Sequence, residues 1–241
     1  AHKQSYYLGL AFVFFISSVN HVAASNTNYG TSSLSSLTSG NYNSAFGYYA
    51  LENNTTGSYN TAVGNRSAQE NTTGSYNTAV GSDSFLNTNG SYNNAVGAYS
   101  LYNNTGDLNN AFGYLALNSN TTGDYNVAVG SESLRSNTTG SSNVSLGYRS
   151  MYDNTEGYMN VAIGNGASHY QTTAYNNSAV GAKSLYQTTT GYENTALGYR
   201  SMHENTQGYE NVAVGVRSLY SNNSGNQNLA LGQESGYSSS G

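Results

Sequence analysis

The sequence predicts an all-β chain wound into a parallel β-solenoid, or β-roll, of about 17 residues per coil and roughly 13 coils. Three observations predict it. A glycine recurs at Gly47, Gly64, Gly81, Gly97, Gly113, Gly130, Gly147, Gly164, Gly181, Gly198, Gly215 and Gly232, at spacings of 17 or 16. Four residues before each stands an asparagine: Asn43, Asn60, Asn77, Asn93, Asn109, Asn126, Asn143, Asn160, Asn177, Asn194, Asn211 and Asn228. Between them lie an alanine, replaced only at Ser145, and an apolar residue that runs from Phe46 and Val63 to Leu231. A fixed short period marks stacked repeats that each contact their neighbours, not a globular core.

Composition narrows the class. Charged residues make up 8% of the chain, against about 25% in ordinary soluble domains. There are 28 glycines and 24 tyrosines, with no proline, cysteine or tryptophan. The tyrosines and the apolar column argue against disorder. A net charge of −5 without a Lys/Arg cluster argues against a nucleic-acid partner. Without cysteine there are no disulfides.

Residues 1–25 differ in kind. Lys3, the apolar run Tyr6–Ile16 and the small-residue exit Val22-Ala23-Ala24 fit a signal peptide, or a retained cap or assembly element. The run is short of the roughly 20 residues that span a bilayer. Either reading places the protein outside the cell or on a cell or virion surface. Residues 26–241 form the repeat domain. Its first register, at Gly30, is degenerate, with Asn28 and Tyr29 where later coils have alanine and an aliphatic residue, as expected of a capping coil.

Each coil reads as two short strands and two turns. The first strand is typified by Tyr59–Val63 and leaves through Gly64; the second is centred on pairs such as Ala50-Leu51 and Ser100-Leu101. A turn rich in Asn, Thr and Gly follows, as in Asn54-Thr55-Thr56-Gly57, where positive φ and side-chain bonds to the backbone are favoured. The two 16-residue coils lose their residue there, which marks it as a surface loop. Strand alternation, with two sheets about 10 Å apart, sends the Val63, Leu51 and Thr61 columns inward. The Asn60 and Ala62 columns then face outward. Their constancy implies packing against another copy of the chain, or an internal ladder bonding turn to turn. The twelve asparagines are assigned to that structural ladder.

The pattern Asn77-Thr78-Ala79-Val80-Gly81-Ser82-Asp83-Ser84 resembles the head repeat of trimeric autotransporter adhesins. It is also similar to repeats of viral and phage tail-fibre proteins. The resemblance covers Asn26 to about Tyr237 and implies a β-roll, a homotrimer and adhesion to surfaces or matrix. The coil here is longer, and no binding residue carries over.

No catalytic, cofactor or metal site is expected. His2, His21, His169 and His203 read as scattered surface residues, and Asp83, Asp107, Asp124, Glu132 and Glu156 as occupying unlike coil positions. Candidate glycosylation asparagines crowd the variable turn at Asn54, Asn71, Asn89, Asn103, Asn120, Asn137 and Asn223. Tyrosines fall in columns, Tyr42, Tyr59, Tyr76 and Tyr92 in one and Tyr152, Tyr186, Tyr220 and Tyr237 in another. The expected function is an extracellular structural or adhesive fibre subunit. It assembles with itself, as a trimer or filament, and presents a repeated Asn/Thr/Tyr surface to glycans or matrix. A carbohydrate-binding module and an ice-binding solenoid are the alternatives.

Overall fold

The computed structural model describes residues 26–238. The hydrophobic segment, and with it the signal-peptide or cap reading, lies outside them. Thirteen three-residue strands, from Thr27–Tyr29 to Leu229–Leu231, form one parallel sheet in chain order. Their register never slips. Ala62 lies opposite Ala79, and the shorter coil still sets Ala79 opposite Ala95. The chain is a β-solenoid.

One strand per coil replaces the two expected. The segment through Ala50 and Leu51 is a run of turns, with φ of 59° at Tyr49 and 50° at Leu51. Tyr59, at 60°, turns the chain again before the next strand. Side chains with a Cβ lose about 1–2 kcal/mol in this left-handed region, so Leu and Tyr give no local hint of it. Stacking compensates. Leu51 N donates to Ser67 O at 3.0 Å, Asn53 N to Gln69 O at 2.9 Å and Thr55 N to Thr72 O at 2.9 Å. The coil wall is therefore hydrogen-bonded to its neighbour outside the sheet as well as within it. Burying those backbone groups unpaired would cost more than the dihedrals do.

The inward face is also inverted from expectation. Ala62, Leu51 and Asn60 are buried, whereas Val63 and Thr61 are exposed. Alternation along the strand holds, but its phase is shifted by one residue, which sends every side chain to the other face. Coil width is the reason. The sheet faces the turn carrying Leu51 rather than a second sheet, so there is room for one large side chain per coil and for only alanine beside it. Leu51, Phe85, Leu101, Leu117, Leu134, Met151, Leu185, Met202 and Leu219 make that apolar spine, broken at Ala68 and Ser168. The glycine column follows from the same tight stacking. Gly64 has φ +134°, and a Cβ there would sit 2.4 Å from Gly81 O.

Candidate functional surfaces

The asparagine column is internal. Asn60 N donates to Asn43 Oδ1 at 2.9 Å, and Asn60 Nδ2 donates to Gly74 O at 2.8 Å. Asn77 N then donates to Asn60 Oδ1 at 3.0 Å, and the pattern repeats to Asn211 and Asn228. Asparagine alone offers an acceptor to the next coil and a donor to its own coil at this reach. The column thus satisfies itself and needs no second chain.

A second buried ladder runs through the turn that looked like a surface loop. Asn54, Asn71, Asn104, Asn120, Asn137, Asn154, Asn205 and Asn222 are buried in it. Asn71 Nδ2 donates to Gly74 O at 3.0 Å, the carbonyl that Asn60 also uses. The 17-residue recurrence was visible in sequence, but its turn chemistry masked its inward direction.

This corrects the glycosylation reading for most of its candidates. Asn54, Asn71, Asn120 and Asn137 are buried, and each commits to a glycine carbonyl the Nδ2 that would carry the sugar. Asn223 is exposed but is followed by Ser224-Gly225, so the sequon of that turn belongs to Asn222, which is buried. Asn89 and Asn103 are exposed. In the shorter coil Asn89 also closes the turn, because its Oδ1 accepts from Thr72 N and Thr73 N at 2.8 and 3.1 Å. A side-chain oxygen there replaces the backbone carbonyl that the missing residue would have supplied.

Among the described residues, two surfaces remain open. One is the outer face of the sheet, where Phe46, Phe112, Val129, Ile163 and Leu197 are exposed beside the half-buried Val127, Val144 and Val161. The other is aromatic. Tyr42, Tyr59, Tyr76 and Tyr92 stack at 4.7–4.8 Å. Tyr158, Tyr175, Tyr192 and Tyr209 stack at 4.9–5.2 Å. The third column is continuous because histidines fill its gaps: Tyr152, His169, Tyr186, His203, Tyr220 and Tyr237 follow at 5.0–5.2 Å. His169 and His203 are therefore ladder rungs, not scattered surface residues. Burial pushes the His203 imidazole below the ordinary histidine range, and Arg200 beside it acts the same way.

The carboxylates are also more ordered than expected. Asp83 and Glu132 share a column and bind Arg66 at 2.7 Å and Arg149 at 3.1 Å. Asp107 and Asp124 are successive rungs, and Asp124 Oδ1 accepts from Asp107 N at 2.7 Å. Among the described residues no group of three or more His, Cys, Asp or Glu could hold a metal ion. Comparison with protein-family models, curated proteins and solved structures finds no match to this chain.

Proposed function

We propose that the chain is a structural, adhesive fibre subunit, outside the cell or on a cell or virion surface, that assembles with copies of itself through the outer face of its sheet. One observation carries this reading: apolar side chains run along that face on nearly every strand, and none of the described residues covers them. Alanine and asparagine, now placed inside, no longer argue for a partner; the Val63 and Val127 columns do. The sheet is about 60 Å long and about 10 Å wide at strand spacing and rise. That area, on the order of 600 Å², approaches the roughly 800 Å² per partner of a stable interface. A partner must match a straight apolar comb repeating at about 4.8 Å, and another copy of this solenoid does so.

Light scattering after size exclusion, with electron microscopy, tests it. The protein is expected to run as discrete multi-chain rods or filaments. Val129→Lys, Leu146→Lys and Ile163→Lys together should give a monomer with an unchanged circular dichroism spectrum. A monomeric unmutated protein at micromolar concentration would sink the reading.

The carbohydrate-binding alternative draws support from the exposed tyrosines, although the stacked rings of each column cover one another's faces and present their edges. The ice-binding alternative has less. Its threonine column is interrupted by Asn89, and Thr55 and Thr121 donate their hydroxyls to backbone carbonyls of the next coil.

A further inference from the structure

A groove of about 490 Å³ lies along the coils between Asn143 and Glu210, lined by Asp153, Tyr170, Thr172, Gln187, Thr189 and Thr206. It is shallow and largely open to solvent, a surface that can take a chain lengthwise rather than a pocket that encloses a small molecule. Tyr170 stands apart from the ladders beside it. Its ring lies at 80° to His169, 4.6 Å away, and at 80° to Tyr186, 5.2 Å away. His169 and Tyr186 stack on each other along the rod. The plane of Tyr170 therefore contains the stacking direction, and this residue, 43% exposed, sets its ring parallel to the rod.

The polar groups of this column change character at the same place. Nearer the N-terminus they satisfy one another: Asn53 Nδ2 donates to Glu70 Oε2 at 2.9 Å, and Asn87 Nδ2 to Asn103 Oδ1 at 3.0 Å. Asp153 and Gln187 bracket Tyr170 one coil to either side, and neither side chain hydrogen-bonds to a described residue. Thr172 and Thr189 donate their hydroxyls to backbone carbonyls at 3.1 and 3.2 Å, which leaves their lone pairs to accept. No lysine or arginine among the described residues lines the groove.

An aromatic wall, a free carboxylate, a free carboxamide and accepting hydroxyls match a ligand with an apolar ring face and a rim of hydroxyls. The carboxylate disfavours an anionic one. We infer that the groove is a subsite for a neutral hexose chain lying along the rod, stacked on Tyr170 and hydrogen-bonded to Asp153 and Gln187. It shares no residue with the sheet face, so it stands or falls separately from self-assembly.

Saturation-transfer NMR of the full chain with cellotetraose, laminaritetraose, mannotetraose and maltotetraose, and with tetragalacturonate as the anionic probe, tests it. At least one neutral tetrasaccharide should bind at millimolar concentration, and tetragalacturonate should not. Tyr170→Phe should retain binding and Tyr170→Ala weaken it about tenfold, the scale of one aromatic contact. Tyr59→Ala, at a comparably exposed ring of the N-terminal ladder, should leave it unchanged. If Tyr170→Ala fails to fold, Asp153→Ala and Gln187→Ala carry the comparison, each expected to weaken binding several-fold. Silence from all four neutral sugars, preference for tetragalacturonate, or equal loss in Tyr59→Ala would overturn the inference.

Discussion

Single side chains in this rod act through the coils above and below them. Asn126 is the clearest case: its Oδ1 accepts from Asn143 N at 3.0 Å and its Nδ2 donates to Gly140 O at 2.8 Å. Asn126→Ala leaves the buried Asn143 N–H without a partner, whereas Gly140 O keeps its bond from Asn137 Nδ2. That one orphan should cost about 1–3 kcal/mol, read from urea unfolding. Ser168 presents the opposite opportunity. It interrupts the leucine spine, its buried hydroxyl finds no partner among the described residues, and its φ of 50° equals that of Leu51 and Leu134. Ser168→Leu should stabilise by about 1–3 kcal/mol, seen as a higher urea midpoint. No change, or a fall, would mean that the spine has already closed over that site.

At the scale of the element, the Tyr152–Tyr237 ladder carries a pH dependence. His203 lies between Tyr186 and Tyr220, nearly buried, with its Nδ1 unpartnered among the described residues. Burial first and Arg200 next hold its imidazole below the usual range; Lys183 adds to this and Glu204 opposes it. The sign follows from proton linkage. Above the unfolded pKa of about 6.5 the imidazole is neutral in both states and costs nothing. As pH falls below that value the unfolded chain takes up the proton first, so stability declines toward the folded pKa. Unfolding at pH 7.5 and 5.5 should show this loss, and His203→Tyr should reduce it. An unchanged pH slope in the variant would assign the loss to other groups.

At the scale of the whole molecule, stability is a sum over coils and their interfaces. Deleting residues 143–159, one full register, should leave a folded, shorter rod, because Asn160 then stacks on Asn126 as Asn143 did. Circular dichroism and the hydrodynamic length check this; loss of folding would show that the coils are not interchangeable. The solenoid itself was legible in the sequence. A 17-residue recurrence of Asn, Ala, an aliphatic residue and Gly leaves little besides stacked coils, and it also marks the leucine spine as internal. The tyrosine columns were legible for the same reason, since residues one period apart must stack.

The sequence by itself determined what repeats, and the tertiary structure decided which way each repeat faces. Strand alternation is unchanged when a strand is turned over, so Ala62 and Val63 could exchange sides without altering the pattern. Coil width settled the matter, because the narrow interior beside Leu51 accepts a methyl group but not an isopropyl group. The same limit hid the second asparagine ladder, since Asn-Thr-Thr-Gly serves equally as an exposed turn or as a buried one. It hid the left-handed residues too. Tyr49 and Leu51 adopt positive φ only because hydrogen bonds between coils and burial outweigh a local preference against it.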